Sequence, residues 1–200
     1  LAEGRGRVLP PEERRAERGG SFEEIKALSE HLHLSNSAVF VSGSLSITAL
    51  PEPVIERIDG ILYRALPILI GDARGVDRLV QRHLSDREIA AVRVYCSGEE
   101  PRHNMGDWPV RRIPTSGRKG TAAFHAAKDA AMARDAALGL VIWDGRSRGS
   151  LANIHRLAAQ RRFIMIWFGP EARFITLRSD SDRDSFLEAH PCRNLVMTGA

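Results

Sequence analysis

The sequence predicts an α/β fold: a three-layer Rossmann-like sandwich around a mainly parallel sheet of five strands, six if residues 172–179 join it. Three observations carry this. Short runs such as "AVFVSG", "PILIG" and "RFIMIWFG" are apolar throughout rather than alternating, as burial on both faces requires. Stretches with helical spacing separate them, long enough for the crossovers that parallel strands need. Each run also ends in small or turn-forming residues, usually glycine.

Residues 1–20 hold five arginines, four glutamates, four glycines and two prolines, with little to bury, and read as a flexible tail. A single domain is expected over residues 21–200. "SFEEIKALSEHL" opens it as a helix, with Ser21 as N-cap and Glu24 completing a capping box. The first strand is expected at 38–43. The helix at 51–66 follows, its prolines near the start, where they are tolerated. The strand at 67–71 and the helix at 75–86 form the next pair, and a third strand spans 91–98. Residues 99–120, "EEPRHNMGDWPVRRIPTSGRKG", read as a long irregular segment. An alanine-rich helix covers 121–136, a strand 138–145, a helix 149–160 and a fifth strand 162–169. An edge strand at 172–179 and a short helix at 182–190 close the chain.

Composition narrows the function. Two hundred residues, 43% of them hydrophobic, suffice for one buried core. The formal net charge of +4 favours anionic partners. The two cysteines, Cys96 and Cys192, lack the spacing of a disulfide framework or a zinc site, and His31 and His33 fall on different faces of their helix, so no metal centre is expected. No apolar run is long enough for a bilayer, and the opening residues lack the apolar core of a secretory signal. A cytoplasmic protein with no membrane partner is the expectation.

In such a sheet, ligands bind beyond the carboxyl ends of the strands, where strand order reverses. Three of those ends carry related signals: "VSGSLS", "GDARGVD" and "WDGRSRGS". Glycine allows tight turns and close approach, and a helix N-terminus offers free amides and partial positive charge to phosphate. Gly43, Ser44, Gly71, Arg74, Gly75, Gly145, Ser147, Gly149 and Ser150 are therefore candidate phosphate-binding residues, with Ser42 a further hydroxyl. Asp72 and Asp144 would repel phosphate, so they are assigned to ribose hydroxyls, to a neighbouring arginine or to a cation; magnesium is allowed, though no motif demands it. Asp77 reads as a surface partner of Arg74. His125, Lys128 and Asp129 on the alanine-rich helix are the catalytic candidates, if its N-terminus faces the pocket. In the long segment, Trp108 is placed to stack on a base, with Asn104 hydrogen-bonding nearby.

The blocks "GS", "GDARGVD", "RHNMGDW", "FHAAKDAAM" and "IWDGRSRGS" with "ANI" following, in this order, resemble the SLOG superfamily, and within it the YspA-like branch. The resemblance runs from about residue 38 to residue 168. It implies a Rossmann-like sheet and a pocket for a nucleoside monophosphate or an ADP-ribose-like derivative. Related LOG enzymes release a base from a nucleoside monophosphate, using a PGGxGTxxE loop and an upstream arginine–lysine pair. "GSLAN" matches the GTxxE portion with Asn153 at the glutamate, and "HAAKD" puts Lys128 at the arginine and Asp129 at the lysine. Asparagine cannot carry a carboxylate's charge, so N-glycosidic cleavage would fall to Asp129 or Asp144. The alternatives are a nucleic-acid-binding module, like the relative DprA, or a nucleotide sensor without catalysis. Relatives of this kind often assemble, which leaves a homo-oligomer open.

Overall fold

The computed structural model describes residues 37–192. The tail expected at 1–20 and the helix expected at 21–32 lie outside them. The elements are β1 (Val39–Gly43), α1 (Glu52–Tyr63), β2 (Ile68–Gly71), α2 (Val76–Ser85), β3 (Val92–Ser97), β4 (Val110–Ile113), α3 (Ala122–Asp135), β5 (Leu138–Trp143), α4 (Arg148–Ala159), β6 (Phe163–Phe168), β7 (Arg173–Leu177) and α5 (Asp180–Ala189).

One seven-stranded sheet runs in the order β4-β3-β2-β1-β5-β6-β7. Every neighbouring pair is parallel except β6 and β7, which are antiparallel. The three-layer sandwich is as the sequence predicts; the strand count is not. β4 lies in the segment expected to be irregular. Its four residues, Val-Arg-Arg-Ile, are half-buried or exposed, because a short edge strand needs no apolar run. β7 is the expected edge strand.

The helices cover both faces. On one, Val54, Ile58 and Ile61 of α1 and Val76, Val80 and Leu84 of α2 pack against Val39, Val41, Ile68, Ile70, Leu140 and Ile142. On the other, α3, α4 and α5 bring Met132, Ile154, Leu157 and Phe186 against Phe40, Val141, Trp143 and Ile164. Opposite faces of the same strands feed the two clusters, which explains the uninterrupted apolar runs. Among the described residues no helix is long and apolar enough to cross a membrane.

The chain leaves β1 toward β2 and leaves β5 toward β6, in opposite directions. The two connecting helices, α1 and α4, lie on opposite faces of the sheet. The resulting crevice at the carboxyl ends of β1 and β5 is the topological switch point of the fold.

Candidate functional site

A cleft of about 180 Å³ opens at this switch point. Ser42 and Gly43 from the end of β1 form its floor, with Leu45 half exposed at the mouth. One wall is a face of α3, contributing His125, Lys128, Asp129 and Met132; the other is the start of α4, contributing Ser147, Gly149, Ser150 and Asn153. Asp77, Ala73 and Arg102 close the third side. The alanine-rich helix borders the cleft with a side face, from its fourth residue to its eleventh, rather than with its N-terminus. Thr121 caps its first turn, the side chain accepting from the Phe124 amide.

The α4 wall is a helix start whose N-cap side chain makes no cap hydrogen bond. Ser147 is the N-cap residue, yet its hydroxyl makes no cap bond and accepts instead from Ser150 Oγ at 3.3 Å. Intrahelical bonding reaches the Leu151 amide, which donates to the Ser147 carbonyl. Among the described residues nothing lies within 4 Å of the position a Cβ would take at Gly149, so the Cα of this residue is open on the cleft side. Asn153, a turn further in, is spoken for: its Nδ2 donates to Ser42 Oγ at 3.4 Å and its Oδ1 accepts from Arg156 at 2.8 Å.

The α3 wall is built on charge. Lys128 is buried; its ammonium lies 2.7 Å from Asp129 Oδ1 and 4.0 Å from Asp72 Oδ1. Burial alone would lower its pKa, but Asp129, Asp77 and Asp72 outweigh burial and hold it above the usual lysine value. Asp72 is buried as well. Burial pushes its carboxyl up, and Arg102 more than reverses this by donating from its backbone amide and Nε (both 3.0 Å) and from Nη2 (2.8 Å), leaving the pKa lowered. Asp77 goes the other way: burial raises its pKa to about 6, only partly offset by Lys128 and the Ala73 amide. His125 is depressed, first by burial and then by Arg102 and Lys128, so it is neutral at pH 7.

Gly71 makes this cluster possible. A Cβ there would collide with the Asp77 carboxylate and would come within 2.6 Å of Lys128 Nζ. Gly75 serves the backbone instead: φ is +73°, and a side chain would meet the Ser44 carbonyl at 2.6 Å.

Several predicted site residues turn out to brace the cleft rather than line it. Ser44 is fully buried; its Oγ accepts from the Asp144 amide at 3.1 Å and shares a hydrogen bond with Ser150 Oγ at 3.2 Å, joining the β1 and β5 loops. Asp144 is not a ribose ligand. It accepts from the Arg146 and Ser147 amides at 2.9 and 2.7 Å and from Ser46 Oγ at 2.6 Å. Burial opposes its ionisation, but these donors prevail and hold its pKa at about 2. Gly145, at φ +76°, provides the turn beside it. Asp144→Ala is expected to cost about 1 kcal/mol at neutral pH, the usual net worth of a lost hydrogen bond. Because the native pKa is depressed, the difference from wild type should shrink as pH falls from about 4 toward 2, measured by urea denaturation. Arg74 is exposed and does not line the cleft, and its expected partner Asp77 points inward toward Lys128.

Trp108 and Asn104 lie elsewhere altogether. From Arg102 at the carboxyl edge the chain descends beside α2: Gln81 donates to the His103 carbonyl and accepts from the Met105 amide, and Ser85 donates to the Met105 carbonyl. Trp108 therefore sits at the amino edge, just before β4 begins, buried in the core with its Nε1 donating to the Ile89 carbonyl at 2.6 Å. Asn104 clamps the Trp108 backbone, accepting from its amide and donating to its carbonyl. Neither can stack on or hydrogen-bond a ligand in the cleft.

Sequence reasoning missed Arg102, Leu45, Ala73 and Met132, and misplaced Asp77. The only sequence signal for Arg102 was its position at the start of "RHNMGDW". Among the described residues no group of three or more histidine, cysteine or acidic side chains could hold a metal ion. The carboxylates here are matched to Lys128 and Arg102, a donor set that does not suit magnesium. No family model, curated protein or solved structure matches the chain.

Proposed function

We propose that the cleft binds the sugar-phosphate end of a nucleotide or nucleotide derivative, with the phosphate on the first turn of α4 and the sugar beside Lys128 and its carboxylates. The observation that carries this reading is the meeting, in one cleft at the switch point, of the glycine- and serine-lined start of α4 and a lysine-centred group of carboxylates. The first suits an anion; the second suits hydroxyl donors. The volume falls below the ~300 Å³ at which small-molecule pockets usually begin, which favours one end of a nucleotide, the base lying over Leu45 at the mouth. The resemblance to the SLOG superfamily points to the same ligand class.

If the site turns its ligand over, the reaction that fits is hydrolysis of the N-glycosidic bond: the C1′–N bond breaks, water supplies the hydroxyl to C1′ and a proton to the departing base. Positive charge develops on the sugar in such a step. Asp129, hydrogen-bonded at Oδ1 by Lys128 and lining the cleft, is the carboxylate placed to stabilise it, whereas Asp144 is engaged by its own loop. The nucleic-acid alternative loses its stacking residue, because Trp108 lies in the core.

The test is a panel of nucleoside monophosphates and ADP-ribose. A ligand at a hundred times its Kd should stabilise the fold by about 2.7 kcal/mol, read as a thermal shift. Gly149→Leu should abolish that shift without lowering the melting point of the free protein, since the new side chain meets only the cleft. Free base found by chromatography would establish an enzyme, and unchanged ligand a binder. A folded protein that shifts with nothing in the panel rules the reading out.

A further inference from the structure

Of the four aspartates at this edge of the sheet, two are fully committed. Asp72 is gripped by Arg102, and Asp144 by its loop amides and Ser46. Asp77 and Asp129 are different. Asp77 is only 5% exposed; its Oδ2 accepts from the Ala73 amide, and its Oδ1 accepts from no donor among the described residues, although the side chain lines the cleft. Asp129 spends Oδ1 on Lys128 and has no partner for Oδ2 among the described residues. Both act on the Lys128 ammonium and both line the same small cleft, so each brings to it a carboxylate oxygen with no donor among the described residues.

A phosphate would be repelled there, and an apolar group would leave both oxygens unpaired. A vicinal diol supplies two hydroxyl donors side by side, one for each oxygen. We propose that Asp77 and Asp129 form a diol-reading pair that makes the cleft select ribose phosphates over 2-deoxyribose phosphates. The inference rests on the sugar-phosphate reading above and adds the identity of the sugar. Removing one hydroxyl leaves a carboxylate acceptor in the closed cleft without its donor, buried at Asp77 and half-buried at Asp129, which is the kind of loss that gives discrimination.

Calorimetric titration of the full chain with ribose 5-phosphate, 2-deoxyribose 5-phosphate and inorganic phosphate tests it. Ribose 5-phosphate should bind roughly tenfold tighter than the deoxy sugar, or more. In Asp129→Asn and in Asp77→Asn the ratio should fall toward one. The wild-type comparison needs no variant, so a misfolded mutant does not blunt the test. Equal affinity for the two sugars overturns the diol pair while leaving the phosphate subsite standing. Failure of all three probes to bind removes both the subsite and the pair.

Discussion

Trp108→Ala should lower stability by about 3–5 kcal/mol, the range for deleting a buried tryptophan, and leave ligand affinity unchanged. The indole is 6% exposed and belongs to the cluster under α1 and α2. Its ring fills the space where a side chain on Gly106 would otherwise stand, and its Nε1 satisfies the Ile89 carbonyl. Truncation leaves a cavity and strips that carbonyl of its donor. For a domain of this size the melting temperature should fall by roughly 6–20 °C. Denaturant titration measures the first effect, and calorimetry with a nucleotide that binds the wild type measures the second. A folded variant that has lost its affinity would return Trp108 to the binding site.

Asp77→Asn should raise stability at neutral pH. The native carboxyl has its pKa raised from 3.8 to about 6, so between those values the folded protein binds more protons than the unfolded one. Stability therefore declines as pH rises through that window, by about 3 kcal/mol in all for a shift of this size. The groups facing the carboxylate are the Lys128 ammonium and the Ala73 amide, which favour its charge, and Asp129 and Asp72, which oppose it; burial is the dominant cost. Asparagine keeps the acceptor for Ala73 and removes the charge. At pH 7 the variant should melt roughly 6–12 °C above wild type. Most of the gain should vanish by pH 4, where the native carboxyl is already protonated. A variant no more stable than wild type at pH 7 would show that the buried charge is better compensated than the geometry indicates. Stability given up at one residue is common where a group is kept for binding.

Burial on both faces wrote the sheet into the sequence. The strands with helices above and below them are largely apolar runs, broken in β3 only by the exposed Arg93 and the terminal Ser97, and β1, β2, β3, β5 and β6 are legible for that reason. β4 is not, because an edge strand can spend its middle positions on Arg111 and Arg112. That omission carried Trp108 to the wrong edge: without β4 there is no reason for the chain after Arg102 to descend the depth of the sheet. The rim loops were legible from glycine and serine at strand ends, and Ser147, Gly149, Ser150, Lys128 and Asp129 do meet in the cleft. The division of labour among the aspartates was not legible. Asp72 and Asp144 look like ligand groups until Arg102 and the loop amides claim them, and Asp77 looks like a surface charge until Lys128 arrives from a distant helix. Local spacing cannot report partners that only tertiary folding brings.

Residue 71 has a single hydrogen where its neighbours along β2 carry branched chains, and that missing carbon separates two very different materials. Below it lies an oily sheet; directly above it sit an ammonium and a carboxylate with no methyl group to hold them apart from the peptide plane. Even alanine would displace the ionic layer, so the seat of the ammonium beside the cleft is set by the smallest residue in the strand.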